Sequence, residues 1–86
     1  MALFTVTVAR SARRELEALP GDVIKRIFPK LEDLAVNPRP FGCTKLQGKN
    51  DLWRIRIGDY RVVYSISTKK NIVDVITIRH RKDVYR

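Results

Sequence analysis

Residues 52–64 read LWRIRIGDYRVVY, and their side chains alternate in character along the chain. The alternation over 52–57 and 60–67 indicates two β-strands, and Gly58-Asp59 between them has the composition of a two-residue hairpin turn. A turn of that length fixes which residues face each other across the hairpin. The predicted pairs on one face are apolar: Ile57 with Tyr60, Ile55 with Val62, and Trp53 with Tyr64. That face is therefore predicted to be buried.

In the same register, arginines lie on the opposite face of the hairpin. Arg54 and Arg56 lie roughly 6.5–7 Å apart along the first strand, and Arg56 faces Arg61 on the second. Like charges directly opposite each other destabilise a sheet, so this cluster is best explained by an anion bound among the side chains. The alternative for any single arginine is a surface role in which its stem covers apolar surface. Guanidinium groups bind phosphate through two parallel hydrogen bonds and stay charged. The hairpin therefore predicts a phosphate-binding surface on an open sheet face.

Elements on both sides of the hairpin complete the predicted fold. The predicted strands are 3–8, 52–57, 60–67 and 72–78, and the predicted helices are 9–19 and 23–35, where apolar residues recur at helical spacing. Pro20-Gly21 separates the helices, and Asp22 is expected to cap the second one. Residues 38–50 are predicted to form a loop. The order β-α-α-β-β-β predicts an α+β fold, a two-helix hairpin packed on a mostly antiparallel, twisted, four-stranded sheet.

The composition indicates one small, basic domain over residues 1–86. The chain has a formal net charge of +9 and 44% hydrophobic residues, which is ordinary for a globular protein. So short a chain builds only a modest core, and a partner covering apolar surface would stabilise it. Residues 54–86 hold nine basic residues against three acidic ones. Such a field attracts polyanions, although basic residues also serve simply to keep proteins soluble.

Several classes of protein are disfavoured by what the sequence lacks. Cys43 is the single cysteine, so no intrachain disulfide can form, and one cysteine with one histidine cannot build a zinc site. Residues 1–8 lack the pattern of a signal peptide, and no stretch approaches the ~20 apolar residues of a membrane span. We therefore expect a cytoplasmic protein without a metal, a cofactor or a membrane.

Residues 79–86, RHRKDVYR, supply groups that can transfer protons. His80 can take or give a proton near neutral pH, and Tyr85 can bind a phosphate, stack on a base or transfer a proton. With the arginines, these groups suit RNA cleavage by the neighbouring 2′-hydroxyl, which needs a base, cations for the phosphorane and an acid for the leaving 5′ oxygen. The alternatives are a solvated surface role for His80 and a hydrophobic anchor for Tyr85.

Three segments, residues 45–48 (KLQG), 52–64 and 79–85, together resemble the toxins of the RelE/ParE superfamily. The resemblance covers nearly the whole chain and includes the order of the elements. It implies a toxin of a type II toxin–antitoxin system. RelE-type members cleave messenger RNA in the ribosomal A site without a metal, whereas ParE-type members poison DNA gyrase and lack the nuclease residues.

By this resemblance, cleavage would depend on Arg54, Arg56, Arg61, His80, Arg81 and Tyr85. Further basic residues are expected to contact RNA or the ribosome: Lys45, Lys49, Arg79, Lys82 and Arg86. The second-strand positions are often lysine in RelE, and arginine effectively cannot lose a proton, so the base would be His80, Tyr85 or a ribosomal group.

The implied partners are an acidic cognate antitoxin that neutralises the toxin, the ribosome and messenger RNA. Because the nuclease residues are retained, we expect a ribosome-dependent mRNA interferase, that is, an endoribonuclease. A ParE-like gyrase inhibitor and a non-catalytic nucleic-acid-binding module are the alternatives.

Overall fold

The structure, a computed structural model, describes residues 3–46, 51–80 and 82. Within them, two helices and five strands follow one another as β1 (Thr5–Val8), α1 (Arg10–Glu17), α2 (Gly21–Asp33), β2 (Thr44–Lys45), β3 (Leu52–Ile57), β4 (Tyr60–Ser67) and β5 (Ile72–His80). The strands form one sheet in the order β1-β5-β4-β3-β2. β1 runs parallel to β5, and the other neighbours are antiparallel. The predicted α+β class is confirmed.

The predicted hairpin register is also confirmed. β3 and β4 pair Ile57 with Tyr60, and the register continues along the hairpin through the pair of Trp53 with Tyr64. Gly58, in the turn, has φ +60°, a left-handed conformation that glycine adopts without steric cost. The chemistry of this turn therefore sets which residues lie on each face of the sheet.

One face of the sheet packs against both helices. Ile27, Leu31 and Leu34 lie four and three residues apart, so they form a single stripe at α2 that is buried. Ala12 contributes the buried contact of α1. The buried apolar residues of the strands are Ile55, Val62, Tyr64, Ile66, Val73, Val75 and Ile78. Because side chains alternate along strands, the residues between them lie on the face turned away from the helices.

Tyr64 connects the sheet to the segment that follows α2. Its side chain is fully buried, and its hydroxyl donates a hydrogen bond to the carbonyl oxygen of Pro38 at 2.7 Å. Burial, together with the neighbouring Cys43, raises the pKa of Tyr64 above the ordinary value for tyrosine. The contact therefore requires the neutral phenol.

The prediction that Asp22 caps α2 is wrong. Pro20 is the N-cap, and its carbonyl oxygen accepts hydrogen bonds from the backbone N–H groups of Val23 and Ile24 at 3.0 and 3.1 Å. The proline ring restricts φ, and with ψ at 148° the chain enters the helix from an extended residue. Asp22 lies instead in the first turn, where its carboxylate is near the positive end of the helix dipole.

The sheet has five strands where four were predicted. Thr44 and Lys45, inside the predicted loop 38–50, pair with Arg54 and Trp53. This short pairing covers part of the edge of β3, whose backbone groups would otherwise face solvent. Two residues are too few for an alternating pattern to reveal a strand.

β5 extends to His80, two residues beyond the end predicted at residue 78. Its register against β4 shifts between Val63, which pairs with Thr77, and Tyr64, which pairs with Val75. This β-bulge inserts Ile76 as an extra residue in β5. Arg79 and His80 were expected beyond the last strand, and they belong to the sheet.

Candidate functional site

Three arginines lie side by side across three adjacent strands. Arg61 of β4 pairs with Arg56 of β3 on one side and with Arg79 of β5 on the other. Paired residues of antiparallel strands point to the same face, with Cβ atoms about 4.5–5.5 Å apart. Their chain neighbours Val62 and Ile78 are buried against the helices, so the arginines lie on the opposite face. We call Arg56, Arg61 and Arg79 the arginine row.

Arg54 lies on the same face, two residues before Arg56 in β3. It pairs with Val63 on one side and with Thr44 on the other. Its side chain is half-buried, whereas Arg56 is exposed. The sheet therefore brings together the three arginines predicted from the hairpin and adds Arg79, which had been expected only as an RNA-contacting residue in the tail.

Arg61 does not lie on an open surface as predicted, because only 6% of the residue is exposed. It stands in the central strand, with Arg56 and Arg79 as its partners on the neighbouring strands. Arginine keeps its charge when buried. A guanidinium with little water around it attracts an anion more strongly than an exposed one does.

Glu15 of α1, which belongs to the helical layer, binds the side chain of Arg79. Its Nε donates to Glu15 Oε2 at 2.6 Å, and the other carboxylate oxygen, Oε1, accepts from the backbone N–H of Ile78 at 3.1 Å. β1 ends at Val8, opposite Val75, so Glu15 binds the edge of β5 beyond the end of that strand pair. The partners are 63 and 64 residues apart in the chain, and no local sequence pattern indicates this contact.

His80 lies on the other face of the sheet, contrary to the prediction that it joins the arginines in one constellation. It pairs with Tyr60, and their rings meet edge to face with centroids 5.3 Å apart. Both rings line a groove with Leu19 and Pro20 at the end of α1. His80 Nδ1 accepts a hydrogen bond from the backbone N–H of Lys82 at 3.2 Å. Consecutive strand residues leave the backbone on opposite faces, but the Arg79 side chain, bound to Glu15, reaches around the edge of β5 and lines the same groove as His80.

The remaining predicted contact residues are distributed around the sheet. Lys45 is exposed on the edge strand β2 and pairs with Trp53, so it lies on the helix-facing side, away from the arginine row. Lys82 is exposed. Four predicted site residues lie outside the described part of the chain: Lys49, Arg81, Tyr85 and Arg86.

The described residues hold neither a cluster of metal ligands nor a membrane-spanning helix. Across residues 3–46, 51–80 and 82, no three His, Cys, Asp or Glu side chains group together as metal ligands would. The helices in this part of the chain are too short or too polar to span a membrane.

Comparisons with known proteins agree with this fold. A family model described as the ParE toxin of the type II toxin–antitoxin system, parDE, matches residues 6–85. The toxin RelE of Mycobacterium tuberculosis is 33% identical over 82 residues, covering 95% of this chain and 81% of that protein.

Solved structures of RelE proteins are similar over nearly their full length. The archaeal RelE–RelB complex from Pyrococcus horikoshii OT3 gives a TM-score of 0.82 at 30% identity, covering 92% of this chain and 96% of that one. The isolated E. coli RelE toxin gives a TM-score of 0.80 at 28% identity, covering 95% and 90%. The chain therefore belongs to the RelE/ParE superfamily and is a toxin of a type II toxin–antitoxin system.

Proposed function

We propose that this toxin is an endoribonuclease that cleaves messenger RNA in the ribosomal A site. The 2′-hydroxyl of one nucleotide attacks the adjacent phosphate, and the 5′ oxygen of the next nucleotide leaves. The observation that supports this proposal is the arginine row, which places three arginine residues side by side on adjacent strands.

The row suits the charge that develops during this reaction. The phosphorane carries more negative charge than the phosphodiester, and cations already in place stabilise it without reorganisation. Arg61 is buried and would act at the centre of the row, where desolvation strengthens its attraction for the phosphate. Arg54 and Arg56 would hold the flanking phosphates of the codon. No step of this reaction requires a metal, since the arginines supply the positive charge.

The general base is a separate question, because arginine does not lose its proton at physiological pH. His80 contacts Tyr60 on the helix-facing side of the sheet, so it would have to reach the phosphate around the end of β5. Tyr85 and a group of the ribosome remain the other candidates for this role. Arg81 would take part in cleavage by adding positive charge at the phosphate. Arg86, with Lys45, Lys49 and Lys82, would add charge attraction for RNA.

We also propose that an acidic cognate antitoxin neutralises the toxin in the cytoplasm. The archaeal relative is a RelE–RelB complex, and the net charge of +9 favours a negatively charged partner. Large apolar side chains such as Phe28 and Phe41 are exposed in this chain, and covering them would stabilise a protein with so small a core.

Primer extension on a translated message tests the nuclease proposal. Purified toxin is added to messenger RNA with and without ribosomes, each with and without EDTA. New 5′ ends at A-site codons that require ribosomes and persist in EDTA are the expected result. A message that stays intact with ribosomes contradicts the proposal.

Inhibition of DNA gyrase is the second candidate, and the match of residues 6–85 to the ParE toxin model favours it. In that case the arginine row would be a binding surface for a protein or for DNA. A supercoiling assay distinguishes the two functions, because a gyrase poison leaves cleaved DNA complexes and an mRNA interferase does not.

A further inference from the structure

We infer that Glu15 is a positioning residue that fixes Arg79 at the end of the arginine row. This inference rests on the proposed cleavage of RNA. Glu15 lies on α1, in the helical layer, and its carboxylate bonds to Ile78 and Arg79 at the end of β5.

The carboxylate of Glu15 makes two contacts with consecutive residues of β5. Oε1 accepts from the backbone N–H of Ile78, which fixes the strand, and Oε2 accepts from Nε of Arg79, which fixes the side chain. The side chain of Glu15 is 24% exposed and that of Arg79 is 53% exposed. One partly buried group therefore sets both the position of the strand end and the direction of its arginine.

Arg79 needs such an anchor because of its neighbour. Its partner across β4 is Arg61, a like charge, and repulsion favours rotamers of Arg79 that point away into solvent. A long side chain on an exposed strand end also loses conformational entropy when it is held in one geometry. The ion pair with Glu15, made through Nε, offsets both effects.

Glu15→Gln removes the ion pair with Arg79 and keeps the hydrogen bond to Ile78. The amide oxygen can still accept from the N–H of Ile78, but the amide nitrogen then faces the Nε–H of Arg79, and two donors cannot bond. Glu17→Gln is the matched control. It removes the same charge from the same helix, where Glu17 forms only an exposed ion pair with Arg13 at 3.8 Å.

The kinetic test measures cleavage of ribosome-bound message at several ribosome concentrations. It gives the maximal rate and, separately, the ribosome concentration at which the rate is half maximal. We expect Glu15→Gln to lower the maximal rate by about ten-fold, since misplacement of about 1 Å can cost up to 10²-fold. Glu17→Gln should stay within about two-fold of wild type. Glu15→Gln combined with Arg79→Ala should be no slower than Arg79→Ala alone, because the two residues act as one unit.

Three outcomes would overturn the inference. One is a maximal rate for Glu15→Gln equal to that of Glu17→Gln. Another is a double variant whose loss is the product of the two single losses. The third is tighter ribosome binding with an unchanged maximal rate, which would mean that Glu15 acts only through its charge.

A measurement without catalysis separates this inference from the proposed function. By NMR, the Nε–H proton of Arg79 should exchange slowly with water in wild type and in Glu17→Gln, and rapidly in Glu15→Gln. Equal exchange in all three proteins overturns the inference. If wild-type toxin leaves the message intact, the proposed function fails. The anchoring of Arg79 is then tested by the exchange rate of its Nε–H proton alone.

Discussion

Arg56 and Arg61 face each other directly across the hairpin of β3 and β4. Cross-strand pairs of charges change stability by roughly 0.2–1 kcal/mol, and a like pair is unfavourable. A phosphate bound between two such groups replaces their repulsion with a shared attraction. Substitution of Arg56, the exposed member of this pair, should therefore affect stability and activity in opposite directions.

Arg56→Gln should stabilise the toxin and impair it. Removal of one of two opposed charges should raise the free energy of unfolding by a few tenths of a kcal/mol, up to about 1 kcal/mol. The loss of a phosphate contact should lower cleavage by about ten-fold or more. Urea denaturation and primer extension measure the two effects. Lys25→Gln, on the exposed side of α2, is the charge-matched control, and an Arg56→Gln protein no more stable than this control contradicts the prediction.

Arg61→Ala should abolish most cleavage while the fold persists. Loss of one group that stabilises the transition-state charge typically costs about 10²–10³-fold in rate. Arg61→Lys should recover only part of the activity, since lysine cannot bind a phosphate oxygen pair in the bidentate manner of arginine. Single-turnover cleavage on programmed ribosomes provides the rates, and circular dichroism checks the fold. The exposed Arg14→Ala serves as control, and normal cutting by folded Arg61→Ala would remove Arg61 from the site.

His80→Gln should matter less than any substitution in the arginine row. The His80 ring packs on Tyr60 at the helix-facing side, so we expect a decrease in cleavage of less than about ten-fold, below the 10²–10⁴-fold typical of a lost general base. The comparison uses the same single-turnover assay across pH 5.5 to 8.5. A decrease of 10²-fold or more, with the pH dependence of the rate lost, would identify His80 as the base and require the end of β5 to rearrange on the ribosome.

Tyr64→Phe should reduce stability at neutral pH and lessen the sensitivity of the fold to alkali. Without the hydroxyl, the carbonyl of Pro38 loses its donor, which costs about 1–3 kcal/mol. Because burial raises the pKa of Tyr64, its contribution is complete below the ordinary tyrosine pKa of about 10 and is lost as the pH rises above that value.

Urea denaturation between pH 7 and 11 tests this prediction. The difference in the free energy of unfolding between wild type and Tyr64→Phe should shrink above pH about 10. Tyr60→Phe is the control, since it removes a hydroxyl from a half-buried tyrosine of the same strand, and it should cost less. A difference that stays constant to pH 11 would show that Tyr64 ionisation does not contribute.

The central hairpin could be predicted residue by residue because its information is local. A two-residue turn and a period of two determine the register, and the register in turn places Arg56 opposite Arg61. The helices followed from apolar spacing, although Pro20 rather than Asp22 starts α2. Local patterns of this kind depend on a few neighbouring residues, which the sequence shows directly.

The features that could not be predicted depend on distant parts of the chain. The bulge at Ile76 and the extension of β5 place Arg79 beside Arg61 and turn His80 to the other face, and no pattern within β5 reveals that shift. The contact between Glu15 and Arg79 joins α1 to the end of the sheet. Burial of Arg61 likewise follows from its position in the central strand, which depends on the order of all the strands.

The parallel pairing of β1 with β5 has a consequence for synthesis of the toxin. β1 pairs with β5, the last of the described strands, so it must wait while both helices and three other strands are made. Contacts so distant in sequence form late, and such topologies fold slowly. Arg79 also lies on β5, so a nascent chain contains no complete arginine row until that strand has been added. A ribosome that is still making β4 therefore carries a chain without the complete site.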